Sequence, residues 1–424
     1  MTTVPSDSSA TAVERSLGVA EHFMWLMNQH RPNHSAVAVE IRGHIEVDQW
    51  RTALRGLQCR HPLLAARIHD RTGTPLLSLG HSEPIPFRVA DPGEGDWQSV
   101  LATEMRTGIN VAGAPPIRVT LLHSSERCAL VIVAHHAVVD GLSETYLVRD
   151  LVALVSGERL AGEPSSRPID SFLQEEIATA AAELPTDQDF PVSERPGVYR
   201  DTQPDSAPAV FCATLDEERT RALRARARAE GTTVHGAVAA AVLHAAAELN
   251  HDWSAVPLRV HTPISLRGQM PVSAEEVGNI LAPATTEQPG KWGDFWAAAR
   301  AFTDGLAPYR ENTALFGSLA LWTGILQGNP SPTDMAAMLA AAAPHEVLLT
   351  NLGVLPIPAS YGALTIEALW GPSVFFGFEG EQTVGLSTLD GTLRLLHTSF
   401  TPVTGLLELA REHLLSAVEE QTRA

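Results

Sequence analysis

Lysine is almost absent from this chain. Of 30 basic residues, Lys291 is the only lysine, and against them stand 49 acidic residues, for a formal net charge of -19. That deficit of positive charge argues against nucleic-acid binding, which needs a basic footprint for phosphates, though it leaves room for local basic patches. It also disfavours docking on an anionic membrane surface. Cysteine is scarce too: Cys59, Cys128 and Cys212 stand far apart, with no CxxC pair and no Cys/His cluster. That argues against a zinc site or a disulfide framework, and all three are expected as small buried hydrophobes. Long apolar runs are missing as well. The longest, Gly236 to Leu249 and Met335 to Ala343, are too short to span a bilayer. The opening "MTTVPSDSSATAVERS" lacks the apolar centre of a secretory signal. The expectation is a cytoplasmic protein with no membrane span and no nucleic-acid partner.

What is present is globular: 424 residues, 44% hydrophobic and 19% charged. That length exceeds one ordinary core, so two units are expected. Residues 1–14 are polar and small and are expected to fray. In the first half, "GVAEHFMWLMNQ" reads as a helix and "SAVAVEI" as a strand. "VDQWRTALRGLQCRHP" reads as a helix capped by Asp48 and stopped by Pro62. "LLAARI", "PLLSL", "PIRVTLLH" and "CALVIVAHH" read as strands, and "LSETYLVRDLVALVSG" as a helix ending at Gly157. From about residue 162 the composition turns to Pro, Ser, Asp and Glu. Residues 166–208 therefore read as a linker interrupted by one helix near Ile169 to Glu183. The second half restarts with the strand "AVFCATL" and two helices, then the strand "VPLRVHTPISLR". A helix at "GDFWAAARAFTDGL", the strand "EVLLTNLG", strands from Leu364 to Phe400 and a final helix from Thr404 follow. The organisation expected is an N-terminal lobe over 15–165 and a C-terminal lobe over 209–424, each mixing sheet and helix.

The stretch "VIVAHHAVVDG", Val131 to Gly141, carries the chemistry. Neighbouring side chains on a strand point to opposite faces, so His135 and His136 do not share a metal ion. One ring is expected to be buried and hydrogen-bonded, the other to face a cavity. Asp140 and Gly141 fall in the turn before the next helix. A neutral imidazole suits proton abstraction near neutral pH. The nucleophile-elbow pattern GxSxG is absent, which favours direct attack by a bound substrate over a covalent acyl-enzyme. Two core histidines beside a turn aspartate also occur in ordinary folds, but four fixed residues at this spacing favour the functional reading.

"HHAVVDG" resembles the HHxxxDG signature of the acyltransferase superfamily that includes chloramphenicol acetyltransferases, nonribosomal peptide condensation domains, wax ester synthases and polyketide-associated acyltransferases. Further segments are similar, in the same order: "IEVDQWRTALRGLQCRHPLLAARI", "TPISLRGQMP", "EEVGNIL", "LLTNLGVLP" and "LSTLDGTLRLLHTSF". The plant-type DFGWG motif is absent, and the layout is nearest to the stand-alone polyketide-associated group. The resemblance implies an α/β (α+β) fold of two chloramphenicol-acetyltransferase-like lobes with a tunnel between them. It implies that His136 is catalytic and that Asp140 is structural, held by Arg267. His135 and Gly141 complete the motif, and Gly278 and Asn279 support the site. Late strands near Val374 to Thr398 are expected to cross onto the first lobe.

The activity implied is acyl transfer with no tightly bound cofactor and no metal. Acyl-CoA or an acyl-phosphopantetheine would be the donor substrate, and a small molecule the acceptor. Rival readings are an amide-forming condensation enzyme, a silent binding module and a cyclase. "DEERTRALRARARAEG" puts Arg221, Arg224 and Arg228 on one helical face, opposite Leu223. That stripe reads either as a solvated face or as a dock for an acyl carrier protein or for phosphates. Trp292, Phe295 and Trp296 read as core. The N–H of Gly141 is the candidate oxyanion donor.

Overall fold

A computed structural model describes residues 13–419, apart from 72–73, 92, 125, 162–166, 184–191, 202–205 and 292. The strands run, in chain order, β1 (Glu14–Ser16), β2 (His34–Arg42), β3 (Arg67–Arg71), β4 (Thr74–Ser78), β5 (Phe87–Val89), β6 (Ile117–His123) and β7 (Arg127–His135). In the second half they are β8 (Ala209–Leu215), β9 (Leu258–Ser265), β10 (Leu281–Gln288), β11 (Val347–Val354), β12 (Ser360–Tyr361), β13 (Leu364–Ser373), β14 (Gln382–Leu389) and β15 (Thr392–Ser399). They form two six-stranded sheets, ordered β12-β13-β2-β7-β6-β5 and β10-β9-β11-β14-β15-β8, and a small sheet β1-β4-β3. Both large sheets are mixed: β5 runs parallel to β6, and β11 runs parallel to β9 and β14.

The first core is the sheet centred on β2 and β7. Eight of the nine residues of β7 are buried, as a strand covered on both faces requires. The helix Gly141–Val155 lies against β2 and the helix Val47–Arg60. In the second core the helix Val234–Leu249 buries ten residues, from Gly236 to Ala246 and mostly alanine or valine. Small side chains there let it pack closely between the helices Phe295–Gly305 and Leu406–Glu419.

Strand β13 departs from the expected arrangement. It belongs by sequence to the second half but pairs with β2 over Arg42–Ala36, at the heart of the first sheet. The crossing segment is thus β12 and β13, Ser360 to Ser373, while β14 and β15, which take up most of the expected Val374–Thr398 region, remain in the second sheet. The second sheet then packs back on the crossing strand. Ser387 Oγ donates to Leu369 O at 2.5 Å and Thr383 Oγ1 to Val374 O at 2.7 Å.

Other expectations are corrected. Glu14–Ser16 is not frayed, because its backbone pairs with β4; residues 1–12 lie outside the described residues. Glu46, not Asp48, precedes the helix Val47–Arg60, and Asp48 instead pairs with Arg51 at 2.6 Å. Only the end of "LLAARI" is strand: Pro62–Ala65 is a 3-10 turn, and β3 begins at Arg67. The expected linker is partly docked. Ser193 N–H donates to Ala341 O and Gly197 N–H to Ala340 O, each at 2.7 Å, and Tyr199 stacks on Phe378. Cys59 is exposed, Cys128 buried and Cys212 half-buried, because Cys59 falls on the outer side of an amphipathic helix. Trp296 is core, and Trp292 lies outside the described residues. Strand β10, "LAPATTEQ", and the helices Asn312–Gln327 and Pro332–Ala342 were not expected. Pro283 disguises β10; it is tolerated because β10 is an edge strand.

Candidate active site

Strand β7 ends at His135, and the chain turns through His136–Val139 before Asp140 caps the helix Gly141–Val155. His136 therefore sits in the turn, not on the strand. Its Nδ1 lies 2.8 Å from Val139 O. A carbonyl only accepts, so Nδ1 carries the proton and Nε2 keeps its lone pair. Burial lowers the pKa of His136 below the ordinary histidine value, with the Val139 carbonyl acting weakly the other way. The ring is neutral at pH 7.

His135 has a different environment. It is fully buried, and its Nδ1 accepts from Ala137 N–H at 3.1 Å. Its ring lies 6.2 Å from that of His34, its partner across β2 and β7. Burial, and then the neighbouring His136, pull its pKa down to about 3.

Asp140 is an organising hub. Oδ1 accepts from the N–H and Oγ–H of Ser143, both at 2.8 Å. Oδ2 accepts from Arg267 Nη1 at 2.6 Å and from Ile280 N–H at 3.0 Å. Burial pushes the carboxyl up, but Arg267 and these donors outweigh it, so its pKa is lowered. Arg267 Nη2 also donates to Ser143 Oγ at 2.9 Å and to Glu276 O at 2.7 Å. Gly278 N–H donates to Ser143 Oγ at 3.0 Å, and Asn279 Nδ2 donates to the backbone oxygen of His136 at 2.8 Å.

The motif is thus held from the second half of the chain: Arg267, Asn279 and Ile280 bond to it directly, and Gly278 does so through Ser143. Gly141 is held there too, by close approach. A Cβ on it would lie 2.8 Å from Leu352 Cδ2 and 2.9 Å from Pro372 Cγ. As first residue of its helix, its N–H has no acceptor within that helix. Arg221, Arg224 and Arg228 are not part of this constellation; they line a groove on the helix Glu217–Ala229. Among the described residues no group of three or more His, Cys, Asp or Glu is placed to hold a metal ion. None of their helices is long and apolar enough to cross a membrane.

Two residues that the sequence reading passed over belong to the surroundings. Ser143 ties Asp140 to Arg267 and Gly278; its place three residues after a capping aspartate was a readable signal. Glu144 is fully buried, with Oε2 accepting from Ser35 Oγ at 2.6 Å and Oε1 without a hydrogen-bond partner among the described residues. Burial raises its pKa well above the ordinary value.

A family model described as the condensation domain matches residues 21–278, more than half of the chain. The chain belongs to the condensation-domain family. A second model, the C-terminus of phthiocerol/phthiodiolone dimycocerosyl transferase, matches residues 204–375 of this condensation domain. A probable non-canonical nonribosomal peptide synthetase, CymA of Salinispora arenicola, is 28% identical over 284 residues. That match takes in 59% of this chain and 4% of the synthetase, so the chain spans a small part of its relative. Polyketide synthase associated protein 5 of Mycobacterium tuberculosis shares the fold at TM-score 0.66 and 19% identity, over 96% of this chain and 100% of that one. The trichothecene 15-O-acetyltransferase of Fusarium sporotrichioides does so at TM-score 0.68 and 14% identity, over 97% and 96%. An epimerization domain of tyrocidine synthetase B aligns at TM-score 0.68 and 17% identity, over 99% of both chains.

Proposed function

We propose that this condensation-domain protein is an acyltransferase. It moves an acyl group from a thioester, on coenzyme A or on carrier phosphopantetheine, to a hydroxyl of a natural-product acceptor. The observation that carries this reading is the 2.8 Å contact between His136 Nδ1 and Val139 O. It leaves Nε2 of a neutral ring as the base. Nε2 takes the acceptor's proton while the oxygen attacks the thioester carbonyl. The new C–O bond forms first as a tetrahedral oxyanion. Its collapse breaks the C–S bond, and the imidazolium returns the proton to the departing thiolate. General base catalysis of this type supplies about 10²–10⁴-fold. Asp140 positions the turn and takes no proton, since it is held ionised by Arg267. The N–H of Gly141 is the candidate oxyanion donor.

Ester formation is supported by the match to a dimycocerosyl transferase model and by the likeness to an O-acetyltransferase. The synthetase relatives favour the second reading, amide formation between carrier-bound groups. The deciding experiment incubates the protein with a panel of acyl thioesters and candidate alcohols and amines, followed by mass analysis. A product of ester mass that hydroxylamine cleaves supports the first reading. A hydroxylamine-resistant amide replaces it with the second.

A further inference from the structure

Asp170 lies in the segment between the two halves, in the 3-10 turn Ile169–Phe172. Its Oδ1 accepts from Val19 N–H at 3.2 Å. The backbone comes so close there that a Cβ on Gly18 would lie 2.3 Å from that oxygen. Oδ2 accepts no hydrogen bond from the described residues. No basic side chain among them pairs with the carboxylate. Arg15 is spent on Glu21, at 2.6 and 2.7 Å, and Arg167 lies over the ring of Phe172. Burial is the main cause that raises the pKa of Asp170, and Glu21 adds to it.

Asp170 stands where two cavities meet. The outer one, of about 420 Å³, opens to solvent between the starts of the helix Val19–His30 and of β4 and the end of the helix Asn312–Gln327. Its wall is apolar at Leu17, Val19, Pro75 and Leu326. Burial lowers the pKa of His22, so Asp170 is the one charged side chain among the described residues that line it. The inner cavity is a void of about 10 Å³, room for one water. Gly278, Asn279 and Ile280, the segment that holds the motif, wall it.

We infer that the outer cavity binds a small organic ammonium, with its nitrogen on Asp170 Oδ2 and its apolar body against Leu17, Val19, Pro75 and Leu326. Its volume suits a small molecule. A half-buried carboxylate without a counter-ion prefers a cation to a neutral donor, because the hydrogen bond is then charge-assisted from both sides. The net charge of -19 favours the approach of cations. An anionic ligand meets Asp170 as a like charge and is rejected.

The test uses the full chain and phenethylammonium, with 2-phenylethanol and 3-phenylpropanoate as neutral and anionic probes of similar shape. Calorimetry at pH 8 should show phenethylammonium binding about tenfold or more tighter than 2-phenylethanol, and no binding of 3-phenylpropanoate. Asp170→Asn keeps an oxygen for Val19 N–H but loses the charge, and it should erase that preference. Hydrogen exchange of the native protein places the probe without any variant: phenethylammonium should slow exchange in the peptides around 16–22 and 323–329. Equal affinity for the ammonium and the alcohol, or a preference that survives in Asp170→Asn, overturns the inference. So does protection confined to other peptides. Binding of 3-phenylpropanoate instead would overturn it in favour of an anion site at the helix start. Acyl transfer is not part of the readout, so the failure of that reading leaves each outcome as it stands.

Discussion

Arg267 Nη1 stands 2.6 Å from Asp140 Oδ2, although 127 positions of chain separate them. Both side chains are about 95% withdrawn from solvent, at 5% and 4% exposure. Removing one partner leaves the other charge buried and alone, at a cost of roughly 3–5 kcal/mol. Arg267→Leu and Asp140→Ala should each lower the melting temperature and turnover together. The double variant should lose clearly less than the sum of the two. Additive losses in a double-mutant cycle would show that the contact is not energetically coupled.

His136→Ala should abolish most turnover while the protein still folds and binds thioester. The lowered pKa of the ring sets the direction of the pH profile. The proposed base is unprotonated at pH values where an ordinary histidine is half charged, so the acid limb of kcat/KM should lie below about 6.5. A limb at or above that value would assign the base elsewhere. His135 affects stability. Its folded pKa of about 3 lies below the unfolded value, so the unfolded chain binds more protons in between. Stability should therefore fall as pH drops from about 6.5 toward 3, and an uncharged replacement such as His135→Asn should flatten that fall in urea titrations.

Glu144 acts in the opposite sense. Its raised pKa means that the folded state holds a proton that the unfolded state has released. That stability is present at acid pH and is lost as pH rises from about 4.5. Glu144→Gln preserves shape and can still face Ser35. It should gain stability relative to the native chain at pH 8 and gain little at pH 4. An equal effect at both would mean that the carboxyl is ionised in the fold.

A methyl group at Gly141 meets Leu352 and Pro372 inside 3.0 Å. Gly141→Ala should destabilise the protein and disturb the motif turn, and Leu352→Ala should partly rescue it by opening space. A thermal melt of the three variants settles the point; no rescue would place the strain at Pro372 instead.

Acyl transfer, once measured, should survive exhaustive chelation, because the two histidines of the motif face different surroundings. Loss with EDTA and recovery with zinc would reverse the assignment of His136 as a free base.

The site was legible where chemistry and local geometry coincide. Two histidines at the end of an apolar run, followed by Asp-Gly before a helical pattern, predict a strand, a turn and a helix, and these are found; that Asp140 caps that helix and that Gly141 is its first residue rather than part of the turn was not read. Arg267 was legible only through a resemblance, since nothing local connects it with Asp140. Glu144 was hidden because an acidic residue in a first helical turn normally signals solvent and a favourable dipole; here Ser35 from β2 lies over it. The place of β13 was hidden for a related reason. Alternation and apolar content identify a strand but not its neighbours, and "LTIEALWGPS" suits either sheet. Pairing with β2 depends on how the whole second half returns across the first.

That return has a consequence for biosynthesis. While the first half emerges from the ribosome, β2 has β7 along one edge and nothing along the other. Its open edge is an apolar ribbon, "HSAVAVEIR", with every residue but Glu40 and Arg42 destined for burial. The strand that covers it is more than 300 positions away in sequence, as the 330-residue separation of Trp370 and Glu40 shows. Translation at about 5–20 residues per second leaves that ribbon bare for tens of seconds. Such an edge is a template for aggregation, so the newborn chain is a natural client for holdase chaperones until its last quarter arrives.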